Sequence, residues 1–147
     1  MQPYVVDSIT DDEGNVVHKT EPTVIRQVVS QQTSEKAAAI LEQVVSDPKD
    51  GTGKKAYQAG YRIGGKTGTS EKLGAGDSEW KILSFAAFAP ANDPEIAVLV
   101  MLDEPPLDNP YGSVIAAPIV KNMLADILPY LGYEADVVEG EDTDVKV

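Results

Sequence analysis

No cysteine occurs anywhere in the 147 residues. That excludes a disulfide framework, a zinc–cysteine site and thiol catalysis, and leaves the compartment undecided. Histidine is almost missing too, since His18 is the only one. No carboxylate or hydroxyl constellation surrounds it, so it reads as a surface residue rather than a base. No apolar run approaches the roughly 18 residues of a membrane span. The opening MQPYVVDSIT is not a signal peptide, so any segment that exports or anchors the protein would lie elsewhere. Positive charge is scarce: 12 Lys and Arg stand against 24 Asp and Glu, a net charge of -12. Such a balance argues against nucleic acid or an anionic membrane surface as the main partner.

What is present suffices for one domain with a real core. The acid is concentrated at the end, where Glu134, Asp136, Glu139, Glu141, Asp142 and Asp144 crowd residues with little apolar surface. Residues 134–147 are therefore expected to be a solvated tail or linker, after a domain covering 1–133. The bases are clustered as well. Lys54, Lys55, Arg62, Lys66, Lys72 and Lys81 share residues 54–81 with only Glu71, Asp77 and Glu79, a locally cationic window in an anionic chain.

Residues 4–19 read as a hairpin, two β-branched runs around the turn-rich DDEGN. A helix follows, with Ala37, Ile40, Leu41, Val44 and Val45 at three- and four-residue steps. Thr33 or Ser34 is expected to cap it, and DPKDGTG to stop it. GTG at 51–53 lacks the order of a phosphate loop and reads as a turn. Three strands come next: YRIGGKTGTSEK, then KILSFAAFA at 81–89, then EIAVLVML. The unbroken apolar character of the third predicts burial on both faces and a central position. Short connections favour antiparallel neighbours. A closing helix is expected over 113 to about 130, with Ala116, Ala117, Val120, Met123, Leu124, Ile127 and Leu128 on one face and Pro118 in its first turn. The fold class is α+β, an antiparallel sheet flanked by helices.

The stretch GGKTGTS carries the chemistry. Three glycines in a strand cost stability, which implies that something comes close to the backbone. Gly68 in particular has no side chain to hold a ligand away, so an extended peptide could lie along the strand edge. Thr67 and Thr69 place hydroxyls on alternate positions, suited to a carboxylate. Lys66 adds positive charge for the same anion and tunes a neighbouring hydroxyl. The Thr69 N–H could donate to a developing oxyanion. An edge strand with a glycine bulge and a protective lysine would account for the same residues without chemistry.

The longer order separates these readings. GTGKKA, GYRIGGKTGTS, SFAAFAPANDPEIAVLVMLDEP and YGSVIAAPIVKNML follow one another, after an opening PYVVDSITDDEGNVV. This run, about residues 1–133, resembles the C-terminal part of the transpeptidase domain of class B penicillin-binding proteins, the division and sporulation D,D-transpeptidases. The resemblance implies part of the serine D,D-transpeptidase/β-lactamase-like fold. It also implies acyl transfer from the D-alanyl-D-alanine end of a peptidoglycan stem peptide through a serine acyl-enzyme, trapping by β-lactams, and no cofactor or metal. Lys66 would hold the electrostatics and the serine of an S-x-N motif. Thr67 and Thr69, with Gly68 between them, would bind the substrate carboxylate, and the Thr69 N–H would form half of the oxyanion hole. The parent would work at the extracytoplasmic face of the bacterial cytoplasmic membrane.

The sequence departs from that pattern at the nucleophile. Ser46-Asp47-Pro48-Lys49 and Ser78-Glu79-Trp80-Lys81 have S-x-x-K spacing in the wrong places, and no S-x-N occurs. The chain is therefore expected to be inert alone, a fragment lacking the first half of its domain, with Met1 an introduced start. Bare apolar surface, above all strand 96–102, predicts self-association. Trp80 and Tyr111 are candidates for packing or for the cleft rim. The tail fits a linker to a further module as well as a frayed terminus. Two alternatives stay open: a piece of a serine β-lactamase or D,D-carboxypeptidase, and a non-enzymatic partner-binding domain on the same scaffold.

Overall fold

The computed structural model describes residues 1–72, 80–105 and 111–136. The chain forms two units, Met1–Ser34 and a second from Glu35 onward. The first holds the expected hairpin, β1 (Ser8–Thr10) against β2 (Val16–Lys19), with Ile9 opposite His18. Asp11 builds its turn. One carboxylate oxygen accepts the N–H groups of Glu13 and Asn15 at 3.0 and 2.8 Å, and the other accepts the Asn15 amide at 3.0 Å. These bonds, the Asn15 side chain first, hold the Asp11 carboxyl below its ordinary pKa. Gly14 supplies the positive φ of 87° that the turn needs.

Helix α1 runs Gln31–Ser46. Its cap is Ser30, not Thr33 or Ser34. The Ser30 hydroxyl accepts the Thr33 N–H at 3.1 Å, and its carbonyl accepts the first helical N–H, that of Ser34. A hydroxyl seven residues before Ala37, the first apolar step, starts the helix about one turn early, because Gln31, Gln32 and Thr33 tolerate helical geometry. The stop is where expected. Asp47 accepts the N–H groups of Lys49 and Asp50 at 2.8 and 3.1 Å, closing an Asx turn. The GTG segment is a packed turn. Gly53 donates to Val44 O at 2.8 Å, and a Cβ there would meet the Phe85 ring at 3.0 Å.

The second unit is built on an antiparallel sheet in the order β3 (Gly64–Glu71), β4 (Lys81–Ala89), β5 (Ile96–Asp103). The expectation of a central third strand is overturned. β4 is the middle strand, and β5 lies at the edge among the described residues. Alternation explains why. Ile96, Val98, Val100 and Leu102 turn to the same face as Leu83, Phe85, Ala87 and Ala89, where the core lies. Ala97, Leu99 and Met101 turn to the other, leaving Leu99 61% and Met101 60% exposed. Apolar residues on both faces thus mark one buried and one bare face.

Helix α2 (Ala116–Tyr130) covers the core face. Ala116, Ala117, Val120, Leu124 and Leu128 are buried on it, while Met123 stays 40% exposed. Residues before Ala116 form a turn in which Gly112 O accepts the N–H groups of Ala116 and Ala117, both at 3.0 Å. Pro118 therefore sits in the first turn, where its missing donor costs nothing. Contacts of this unit reach Asp136, whose N–H donates to Gly60 O at 2.8 Å. The rest of the expected acidic tail, 137–147, lies outside the described residues, as does Ser78.

Candidate active site

β3 enters the sheet through two buried glycines whose missing side chains are replaced by rings. A Cβ on Gly64 would collide with the Phe88 ring, and one on Gly65 would stand 2.7 Å from that of Phe85. At Gly68 the neighbour is the Ser84 hydroxyl on β4. Gly112 in turn lies on the sheet backbone, with a Cβ there placed 2.5 Å from Ser84 O and 2.7 Å from Gly68 O. The close approach implied by these glycines is thus made inside the molecule. Ser84 and Gly112 are the residues that motif reasoning on β3 alone misses. The signal for Gly112 was its place between Tyr111 and Ser113, just ahead of the closing helix.

Beyond Gly65 the strand becomes polar and accessible. Lys66 and Thr69 are exposed, and Thr67 and Gly68 half-buried. No strand pairs with the second edge of β3 among the described residues. Two bonds show which peptide groups face that edge. Lys72 N–H donates to Trp80 O at 3.1 Å, which makes Lys72 a bonded pair in the register that sets Glu71 opposite Lys81. Counting in twos, Ser70, Gly68 and Lys66 bond to β4, while Thr67 and Thr69 turn their N–H and C=O groups outward. The second bond agrees: Lys66 Nζ reaches Thr67 O at 2.8 Å and Thr67 Oγ1 at 3.4 Å. The lysine starts on the sheet face of Gly68 and Ser84 and curls over the edge.

Thr67 and Thr69 lie opposite Phe85 and Leu83, so their hydroxyls share the other face. A cation, two hydroxyls and two outward N–H groups therefore meet along one open edge. The other bases near the strand are already engaged. Arg62 makes a two-pronged pair with Glu42, both contacts 2.7 Å, and its hydrogen bond holds the Glu42 carboxyl below its ordinary pKa. Lys72 bridges Asp103 at 3.2 Å and Glu104 at 2.5 Å. These bonds, Glu104 first, raise its pKa. Lys81 Nζ stands 5.8 Å from the centre of the Tyr111 ring. Lys66 has no carboxylate within ion-pair range among the described residues. It is a cation on this strand available to an anionic ligand.

Trp80 and Tyr111 are each 54% exposed, and His18 is exposed on the hairpin. Ser46 and Lys49 are exposed at the end of α1. A cavity of about 300 Å³ bounded by Tyr61, Arg62, Pro90, Leu128 and Tyr133 among others contains none of residues 66–69. Among the described residues no cluster of His, Asp or Glu is arranged to hold a metal, and no helix is long and apolar enough to cross a membrane.

An antiparallel sheet with helices and a lysine–threonine–glycine edge strand is the pattern of the penicillin-interacting serine enzymes. The chain belongs to the family described as "Penicillin binding protein transpeptidase domain", whose profile matches residues 1–125. It is 41% identical over 136 residues to stage V sporulation protein D of Bacillus subtilis, a match covering 88% of this chain and 20% of that protein. It is 32% identical over 143 residues to a peptidoglycan D,D-transpeptidase FtsI homologue of Mesostigma viride, covering 87% of this chain and 23% of that one. The chain thus spans about a fifth of the length of these relatives. Among solved structures, penicillin-binding protein 3 of Mycobacterium tuberculosis complexed with ampicillin matches with a TM-score of 0.74 and 27% identity, over 92% of this chain and 32% of that one. The apo transpeptidase domain of Burkholderia pseudomallei penicillin-binding protein 3 matches with a TM-score of 0.67 and 32% identity, over 88% of this chain and 37% of that one.

Proposed function

We propose that this chain supplies the carboxylate-binding wall of a peptidoglycan D,D-transpeptidase cleft, at the outer face of the bacterial cytoplasmic membrane. The open β3 edge carries the reading. A stem peptide ending in D-alanyl-D-alanine would lie antiparallel along it, exchanging hydrogen bonds with the outward peptide groups of Thr67 and Thr69. Its terminal carboxylate would accept from the two hydroxyls, under the field of Lys66. The scissile carbonyl would then sit at the Thr69 N–H, which donates to the oxyanion as negative charge develops.

The attacking serine and its proton-moving partners would come from an S-x-x-K segment well upstream of β3 and from an S-x-N segment; the two S-x-x-K matches in this sequence lie in the wrong places, and it has no S-x-N. Lys66 would release Thr67 O and turn to the S-x-N serine once that group is present. Alone, the chain would grip a peptide end or a β-lactam weakly and form no covalent bond. The test is an NMR titration of the chain with an acylated D-alanyl-D-alanine peptide. Amide shifts confined to Thr67–Ser70, reduced in Thr69→Val, are expected. Saturating peptide that leaves these amides unmoved would overturn the reading. A covalent adduct with labelled penicillin would overturn the claim that the nucleophile lies outside this chain.

A further inference from the structure

A second group of cations stands off the strand. Lys49, Lys54 and Lys55 bound a cavity of about 290 Å³, together with Asp50, Thr52 and Ser113 among others. The loop that carries these lysines is fixed from within. Lys54 Nζ donates to Pro48 O and Lys49 O at 3.2 and 3.1 Å. The Asp47 carboxylate is occupied by the N–H groups of its own turn, and a Cβ on Gly51 would collide with Asp47 O. Among the described residues none of the three lysines pairs with a carboxylate. Three cations against Asp50 leave the cavity wall an excess of two positive charges, in a chain whose net charge is -12.

Two close approaches place this cavity beside β3. A Cβ on Gly53 and one on Gly65 would each stand within 3.0 Å of the same Phe85 ring atom, Cζ, so the loop and the start of the strand clasp one ring. Phe85 lies opposite Thr67, which puts the loop on the face that carries the Thr67 and Thr69 hydroxyls. Ser113 follows Gly112, on which a Cβ would lie 2.7 Å from Gly68 O. The cavity thus sits at the level of residues 65–68. A peptide antiparallel to β3 points its carboxyl end the same way.

We propose that the cavity is a second carboxylate site, taking the C-terminal carboxylate of the acceptor peptide. This rests on the reading of β3 as the donor site. Cross-linking needs a second stem peptide, whose amine must reach the acyl carbon from the side on which the terminal residue departs, since aminolysis retraces acylation in reverse. There the amine nitrogen bonds to the acyl carbon as the bond to the serine oxygen breaks, and the amine proton passes to that oxygen. The acceptor ends in a carboxylate as the donor does. It extends past residue 65, where Lys49, Lys55 and the Thr52 and Ser113 hydroxyls can receive that group. Lys54 holds the loop, and Lys49 and Lys55 hold the ligand. Both are exposed, so the site is weak and weakens further with salt.

Titration of the chain with the acylated D-alanyl-D-alanine peptide, followed by NMR to saturation, tests this. A second set of amide shifts, at residues 51–55 and Ser113, is expected beside the set at Thr67–Ser70, each with its own affinity. Thr69→Val should reduce the first set and spare the second. Lys49→Gln combined with Lys55→Gln should weaken the second by about tenfold and spare the first. Both lysines are exposed, so the rest of the spectrum should match the parent. An unmoved loop, a second set that survives the double exchange, or one that a C-terminal amide of the peptide produces equally would each overturn the proposal. So would mutual exclusion of the two sets, because donor and acceptor must be bound at once. Shifts in the loop with Thr67–Ser70 unmoved would overturn the β3 reading and keep the cavity as a carboxylate site.

Discussion

β3 and β5 flank the same central strand and turn the same peptide groups outward, yet they present different chemistry. The β3 edge carries Lys66, Thr67 and Thr69, half-buried or exposed, with a cation folded across it. The β5 edge carries Ala97, Leu99 and Met101, with the carboxylates at its end, Asp103 and Glu104, both paired to Lys72. Backbone geometry alone makes both edges receptive to another strand. Side chains give each edge its character: a cation and two hydroxyls line the first, apolar residues the second.

Both edges depend on β4, and the largest effect should come from breaking that shared support. Phe85 is fully buried between the Gly53 turn, Gly65 and α2. Phe85→Ala should cost about 4 kcal/mol, measured by denaturant unfolding, and weaken both edges together. Loss at one edge only would show that they do not share a core.

Next comes the backing of β3. A Cβ at Gly112 meets backbone carbonyls, which cannot turn aside, whereas one at Gly68 meets the rotatable Ser84 hydroxyl. Gly112→Ala should cost about 1–3 kcal/mol and perturb β3 amides in NMR spectra while sparing β5. Gly68→Ala should cost less, and Ser84→Ala should relieve it. Equal costs at the two glycines would contradict the contacts described.

A smaller effect is expected at the Ser30 cap, where Ser30→Ala should lower stability by about 1 kcal/mol. It should leave both edges unchanged, a control that separates general destabilisation from edge-specific change.

The smallest concerns the tie between α1 and the start of β3. The hydrogen bond from Arg62 lowers the Glu42 pKa. The pair's contribution is therefore full above the ordinary glutamate range, about pH 4.3, and is lost as pH falls through the lower folded-state value. Arg62 is half-exposed, so screening limits the pair to under about 1 kcal/mol. Arg62→Gln should remove that acid-range slope in stability without altering the amide shifts of Thr67–Ser70.

Much of this was legible in linear order. The hairpin at DDEGN, the helical period of α1, the stop at Asp47 and the buried face of α2 each follow from a few neighbouring residues, because turn chemistry and a 3.6-residue repeat are local properties. The family was legible too, through the order of GTGKKA, GGKTGTS and YGSVIAAP. The start of α1 escaped because apolar spacing marks where a helix packs, while the cap at Ser30 marks where it begins.

The place of β5 could not be read in the same way. IAVLVML specifies a strand with two apolar faces, and that much is fixed by residue type. Which strand is central depends on which partners are present on each side, a relation between segments distant in sequence. The same holds at the site. Lysine, threonine and glycine as residue types fit either an anion-binding strand or a bulged edge strand, and only the pairing with β4 determines that Thr67 and Thr69, rather than Lys66 and Gly68, turn their peptide groups to the open edge. Hydrogen-bond parity is a property of two strands in register, and no single strand carries it.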